Sequence, residues 1–265
     1  MGYLESIIEG IIQGLTEFLP VSSSGHLHIS HGLFNSETSI SLSFTVFLHL
    51  FSLFAVLIIF RKVIFNIIKG IFKAIKEKKL NEDFELGMMV IVGTIPTAII
   101  GLLFEDYFEA TFSSPLIVSI ILFFNGVILY SSKFFQQKDG KLTYKKALII
   151  GFVQGLAITP GISRSGSTIS VAILLGVNRE KAGVFSFLLS IPAILGAVVL
   201  GYKGFLSITA DEFYIFLTGG MLAFIVGLFS LVILLKLIKK GSFYYFAYYC
   251  FAVSIPSAVY FAFIR

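Results

Sequence analysis

Apolar residues along this chain fall in blocks of about twenty, the length a helix needs to cross the hydrocarbon core of a bilayer. Such blocks lie at 44–60, 86–104, 115–132, 183–201, 213–235 and 243–263. They are continuous rather than alternating, which predicts spanning helices and not the ten-residue alternating strands of a membrane barrel. Two further apolar stretches are shorter and interrupted. Residues 7–19 run into Pro20 and a serine cluster, and residues 147–159 run into Pro160 and a second serine cluster. Each is followed by a short apolar piece, 26–34 and 168–177, too short to cross alone. A pair of short, Gly/Pro-interrupted segments in corresponding places marks re-entrant, broken helices.

Self-alignment shows the correspondence. QGLTEFLPVSSSG starts at Gln13 and QGLAITPGISRSG at Gln154, an offset of 141. The next span starts at Phe44 in one half and Phe185 in the other, again an offset of 141. Two further spans follow in each half. The expected fold is therefore an all-α polytopic membrane protein, a single domain over 1–265. It is built of two repeats, 1–132 and 145–265, each a broken hairpin plus three transmembrane helices.

Composition sharpens this reading. Of 265 residues, 57% are hydrophobic and 13% charged, and mean hydropathy is +0.95. A soluble domain carries about 25% charge, and a chain this apolar could not cover its surface in water. Disorder, a nucleic-acid module and a disulfide scaffold are excluded, and the lone Cys250 has no intrachain partner. The N-terminus carries Glu5 and Glu9 and no basic stretch, unlike a cleaved signal peptide. With no Trp in the chain, an aromatic anchor falls to Tyr244, Tyr245, Tyr248 and Tyr249.

Seventeen of the twenty Lys and Arg lie in the stretches 61–84, 133–146, 178–181 and 236–240. Placing all four in the cytoplasm gives a consistent path through the six spans and puts Glu105, Asp106 and Glu109 in an outer loop. Lys203 and Arg265 fall at outer ends. The first hairpin then enters from outside and the second from inside, so the repeats are inverted and their tips meet near the midplane.

Most polar residues in apolar surroundings sit at those tips: Gln13, Glu17, Ser22, Ser23, Ser24, Gly25 and His26 in the first, Gly161, Ser163, Arg164, Ser165, Gly166 and Thr168 in the second. A charge inside a membrane is costly and faces a partner or a wet cavity. Glu17 and Arg164 have opposite charges, and a structural ion pair between the repeats is the plainest reading. The functional reading is an anion site, most plausibly for phosphate. Two helix N-termini would converge on one point, with Gly25, Gly161 and Gly166 admitting close backbone approach and the hydroxyls of Ser163, Ser165 and Thr168 donating. Arg164 would supply a guanidinium fork. Ser23 and His26, spaced i, i+3, offer a hydroxyl and an imidazole to activate it, unless His26 itself attacks phosphorus. Glu17, one turn from Gln13, could orient His26, accept a proton or hold a divalent cation. His28, His31 and His49 have no acidic neighbour at useful spacing and read as packing or interface residues.

The segments QGLTEFLPVSSSGH (13–26) and PGISRSGST (160–168) resemble the undecaprenyl pyrophosphate phosphatases of the bacitracin-resistance type, as do GTIPTAIIGLLFED (93–106) and FSFLLSIPAILGA (185–197). The resemblance covers nearly the whole chain. It implies a multi-pass enzyme of the bacterial plasma membrane, opening toward the outer face. That enzyme would hydrolyse undecaprenyl diphosphate to the monophosphate lipid carrier used for peptidoglycan. It implies the catalytic residues Glu17, Ser23, His26 and Arg164, with Gln13 at the variable first position of the Glu/Gln-x-x-x-Glu motif, and dependence on a divalent cation, Mg²⁺ or Ca²⁺, at Glu17. The expected partners are the lipid substrate and the membrane, with no nucleic acid; self-association into a homo-oligomer is compatible with the chain. A second class of function, an inverted-repeat transporter or flippase for a lipid phosphate or other anion, would need Arg164 and the helix ends but not both Ser23 and His26.

Overall fold

Each apolar block folds as a helix because nothing within it offers the backbone an alternative hydrogen-bonding partner in an apolar solvent. A computed structural model describes residues 2–34, 42–134, 139–206 and 208–264. Its helices are α1 (Tyr3–Thr16), α2 (Ser23–Phe34), α3 (Leu42–Ile59), α4 (Arg61–Glu77), α5 (Glu82–Phe112), α6 (Pro115–Ser131), α7 (Tyr144–Leu156), α8 (Arg164–Leu174), α9 (Arg179–Leu200), α10 (Tyr202–Leu206), α11 (Ala210–Lys240) and α12 (Phe246–Phe263). No strand occurs among the described residues. The six expected spans correspond to α3, α5, α6, α9, α11 and α12. Among the described residues five helices are long and apolar enough to cross a membrane, and α3 with the bent α4 would make a sixth. Their outward faces remain apolar, with Leu102, Leu103, Phe124, Val199 and Phe229 exposed. The protein is an all-α polytopic membrane protein.

Polar caps set the helix limits. The side chains of Asn81, Ser114, Thr143, Asn178 and Thr209 accept backbone N–H groups at the starts of α5, α6, α7, α9 and α11. Gly241, at φ 74°, ends α11 in the left-handed conformation.

Two expected loops are helical instead. Most of the basic stretch 61–84 forms α4, bent 74° from α3, because its apolar and basic residues alternate with a helical period. The acidic stretch with Glu105, Asp106 and Glu109 is the end of α5. Lys138 of the basic segment 133–146, and Arg265, lie outside the described residues.

The short helices enter as two pairs, α1–α2 and α7–α8. Gly140 and Val177 pair as a β-bridge, so α8 returns to the side from which α7 set out. That end lies beside the close of α11, where Lys239 meets Glu180 at 2.7 Å. Near the start of α1, Ser6 Oγ donates to the Ile215 carbonyl at 2.6 Å, at the opposite end of α11.

Packing between these pairs and the long helices rests on small residues. α1 lies along α11 and α7 along α5. Gly10 faces the Gly219 backbone and Gly14 that of Ala223, while Gly151 faces Gly93 and Gly155 faces Ile100. Gly10-x-x-x-Gly14 and Gly151-x-x-x-Gly155 are the small-residue spacing that lets two membrane helices touch. Thr97 Oγ1 donates across the second contact to the Gly151 carbonyl at 2.8 Å.

A Cβ at Gly10 or Gly151 would overlap the facing backbone, whereas one at Gly196 would meet nothing within 4 Å. Gly10→Leu and Gly151→Leu should each destabilise by about 1–3 kcal/mol or more through overpacking, read as a lowered thermal midpoint in detergent. Gly196→Ala should melt at or slightly above the wild-type midpoint.

Candidate active site

Both helix pairs break at a turn with one left-handed residue, at the cap Ser22 in the first and two residues before the cap Ser163 in the second. After α1 the chain passes Pro20, which has no N–H to continue a helix. It turns at Ser22 with φ 69°, and α2 then starts. Ser22 Oγ accepts the Gly25 N–H at 3.1 Å and lies 3.4 Å from Ser24 Oγ. After α7, Gly161 turns with φ 95°. There Ser163 Oγ accepts the Gly166 N–H at 3.1 Å and lies 3.2 Å from Ser165 Oγ. These three residues stand 141 positions after Ser22, Gly25 and Ser24, so the serine run builds the same N-terminal cap twice.

The tips are fastened to each other. Asn125, fully buried in α6, donates from Nδ2 to the Pro20 carbonyl at 3.1 Å and accepts the Ser163 N–H on Oδ1 at 2.9 Å. Ser165 Oγ donates to the Phe18 carbonyl at 2.9 Å. A Cβ at Gly25 would stand 3.1 Å from the Gly161 backbone, and one at Gly166 would stand 3.1 Å from Pro20. Gly25 and Gly166, expected to admit a ligand, therefore admit the other tip, and Gly161 admits Val118 and Ile121 of α6. The hydroxyls of Ser163, Ser165 and Thr168, expected to reach the ligand, are engaged inside the protein. Thr168 Oγ1 donates to the Arg164 carbonyl at 2.7 Å and contacts Ser186 Oγ at 2.6 Å. A capping or buried hydroxyl satisfies the nearest backbone group before any distant one.

The Glu17 carboxylate sits where the tips meet, 5% exposed. Its Oε1 accepts from Arg164 Nη2. Its Oε2 accepts from Ser23 Oγ at 2.8 Å and from Gln13 Nε2 at 3.1 Å, and faces His49 Nε2 at 3.4 Å. A buried carboxylate persists only with such company. Ser23 and Arg164 are the first residues of α2 and α8, again 141 positions apart, and Glu17 holds both. The positions equivalent to Glu17 and His49 in the second half are Ile158 and Ser190, so the carboxylate and this imidazole come from the first half only, and the guanidinium of Arg164 from the second.

His26 is placed differently from the sequence reading. Its Nδ1 donates to the Ser22 carbonyl at 2.8 Å, so in the neutral ring Nε2 carries the lone pair and accepts from the Tyr249 hydroxyl at 2.9 Å. The two rings stack, centroids 5.5 Å apart. The imidazole is thus directed at Tyr249, and the group that accepts the Ser23 proton bond is Glu17. Helical spacing put Ser23 and His26 on neighbouring faces, but the preceding turn supplies both with nearer partners.

The other histidines find acidic partners that their spacing did not reveal. His49 Nδ1 donates to the Thr45 carbonyl at 2.9 Å while its other nitrogen faces Glu17. His28 meets Glu109 at 3.2 Å and His31 meets Glu9 at 3.2 Å. Asn125, Tyr249 and His49 are the members that sequence reasoning missed. The available signal was a polar side chain inside an apolar span, which Asn125 and His49 both give.

Ser23, Ser24, His26 and Arg164 are half-buried, so this cluster is reachable from outside the bundle. Arg164 has five N–H donors and uses one on Glu17, leaving others to face an anion. Among the described residues no group of three or more His, Cys, Asp or Glu could hold a metal ion. Glu17 is the one carboxylate of the site. Gln13 Oε1, fully buried, meets no donor among the described residues. One carboxylate and one amide oxygen fit a hard cation only if the ligand's own oxygens complete its shell, the usual manner for Mg²⁺.

The family model described as Bacitracin resistance protein BacA matches residues 6–256. An undecaprenyl-diphosphatase of Desulforapulum autotrophicum is 41% identical over 98% of each chain. Those of Alkaliphilus metalliredigens and Treponema denticola are each 43% identical, over 96% and 98% of both chains respectively.

Asn125→Ala would leave the Ser163 N–H and the Pro20 carbonyl unpaired in an apolar interior. We expect about 1–3 kcal/mol of destabilisation, measured as a lower thermal midpoint in detergent. Asn125→Asp, buried and so protonated, keeps one donor and one acceptor and should fall between Ala and wild type.

Proposed function

The chain belongs to the family of Bacitracin resistance protein BacA, and from that premise we propose that it is an integral-membrane undecaprenyl-diphosphatase. It hydrolyses the phosphoanhydride of undecaprenyl diphosphate to undecaprenyl phosphate and inorganic phosphate, returning the lipid carrier for peptidoglycan synthesis. The observation that carries the reading at residue level is the 2.8 Å bond from Ser23 Oγ to Glu17 Oε2, a hydroxyl resting on a base beside a guanidinium.

In the first step Ser23 Oγ forms a bond to the terminal phosphorus, its proton passes to Glu17, and the anhydride P–O bond breaks with undecaprenyl phosphate leaving. In the second step water bonds to the same phosphorus and the Ser23 O–P bond breaks, returning the proton to Ser23 Oγ. The proton of the attacking water passes to His26 Nε2, whose lone pair the Tyr249 hydroxyl gives up by turning away, and leaves from there to solvent. Arg164 turns its unused N–H groups to the phosphoryl oxygens, where a rigid fork is worth more than a point charge. Ser24 and the backbone at the start of α2 line the same opening. His49 acts through Glu17, holding the carboxylate in place from the side opposite its bond to Arg164. A divalent cation, Mg²⁺ or Ca²⁺, would be held by Glu17 and Gln13 Oε1 together with diphosphate oxygens, and would neutralise charge there.

The basic stretches support a plasma-membrane topology with those segments in the cytoplasm, the α1–α2 pair opening to the outer face and the halves 1–132 and 145–265 as inverted repeats. Every group in the proposed mechanism comes from one chain, so a homo-oligomer is not needed to complete it.

Phosphate release by detergent-solubilised protein tests the reading. Ser23→Ala and Glu17→Gln should each lose at least about a hundredfold in kcat while still binding the lipid. Arg164→Lys should lose both kcat and affinity. Wild-type turnover in Ser23→Ala would overturn the assignment of the nucleophile. Acid-stable phosphoserine in trapped enzyme would support it, and acid-labile phosphohistidine would move the attack to His26. For His49, Ala should lower kcat about tenfold and Gln, which keeps an N–H donor, should restore most of it.

A further inference from the structure

α4 is an amphipathic helix whose surface divides into three adjoining stripes, and only one of them has a partner among the described residues. Gly70 and Ala74 are buried, and Val63 and Ile67 are partly so. Gly70 faces Asn81 and Asp83 at the start of α5, and Ile67 and Ile71 face Gly87. Phe65, Ile68, Phe72 and Ile75, spaced i, i+3, i+7 and i+10, form the second stripe, and Phe72 and Ile75 are 70% and 69% exposed. Lys62, Lys69, Lys73 and Lys76 form the third, all exposed. The second and third stripes touch, with Lys69 Nζ 4.4 Å from the centre of the Phe65 ring.

The direction of the helix gives these stripes their meaning. α3 has the composition of a span, and α4 turns 74° from it at Phe60. Arg61 marks the corner by donating from Nη1 to the Ile58 carbonyl at 2.7 Å, which satisfies the end of α3. With α3 as a span, a helix turned 74° from it runs close to the plane of the membrane boundary. Bulky apolar residues beside a lysine row are the arrangement that sinks a helix into the headgroup layer. Four ammonium groups in one row, with Lys78 and Lys79 just beyond the helix, select headgroups of negative charge.

We infer that α4 is an interfacial docking surface for anionic phospholipid, with Phe65, Ile68, Phe72 and Ile75 immersed among the acyl chains and Lys62, Lys69, Lys73 and Lys76 paired with phosphate-bearing headgroups. The occupant is the surrounding bilayer rather than a protein, because an apolar stripe flanked by lysine matches a lipid boundary in both polarity and charge. A protein partner would instead tend to exclude lysine from its centre. This surface is independent of the phosphatase reading.

The absence of Trp from the chain makes the test direct. Phe72→Trp in the full-length protein, reconstituted into mixed vesicles, reports its own surroundings. Bromine is carried either by phosphatidylglycerol or by phosphatidylcholine, at equal total bromine. The expected result is blue-shifted emission, quenched about twofold or more strongly by the brominated phosphatidylglycerol, the excess shrinking as salt is raised. In the same protein carrying Lys62→Gln, Lys69→Gln, Lys73→Gln and Lys76→Gln the two lipids should quench equally, and the corresponding four Lys→Arg changes should keep the preference. Emission unquenched by either lipid would overturn the inference, whether the residue proved wet or covered by a second copy. Equal quenching with the lysines in place would overturn the selection for anionic lipid.

Discussion

A carboxylate held inside an apolar helical bundle is the constraint around which the rest of this molecule is arranged. Glu17 is nearly inaccessible, and an isolated ionised group at that depth would not persist. Its two oxygens are met by a guanidinium, a hydroxyl, an amide and an imidazole contributed by four different helical segments. Three of those segments are fixed in turn by something else: α2 and α8 by their serine caps, with both tips held by Asn125, and α1 by glycine contacts with α11. The same company that keeps the charge tolerable leaves Ser23 on a base and Arg164 with unused donors, so stabilising the carboxylate and preparing the chemistry are one arrangement.

The offset of 141 runs through this arrangement at several levels. It relates the two capped serine turns, the two GxxxG contacts, and Ser23 with Arg164. Where the halves differ, the difference is chemical. Glu17 faces the first residues of both short helices, while its counterpart Ile158 has no polar atom to offer. The two halves share the serine caps and glycine contacts at this offset and differ in the side chains they bring to the junction.

Legibility in the sequence followed the range of the interactions. The six spans, the two broken pairs and the offset could be read directly, since each depends on local period and on Pro, Gly and Ser at fixed places. The residues gathered around Glu17 were mostly nameable too, because a charge in an apolar run signals itself. Roles were less accessible. Gly25, Gly161 and Gly166 announced a close approach without saying to what, and the tips proved to approach each other. The hydroxyls of Ser163 and Ser165 looked free because their capping partners lie in the turn itself. The stretch 61–84 read as a basic loop because its seven basic residues dominate its composition, although its apolar residues keep a helical period.

The sequence by itself determined the solvent, since 13% charge cannot cover a surface in water, and with it the helical class, the number of apolar spans and the concentration of polar groups at two points. Tertiary structure alone decided which of those groups touch. His49 lies thirty-two positions from Glu17, Tyr249 lies 223 from His26, and Asn125 lies 105 from Pro20. A helix repeats every 3.6 residues and so fixes which side chains share a face, but nothing in that period says which distant helix the face will meet. That is set by packing, where glycines let particular backbones come close and every buried donor must find an acceptor.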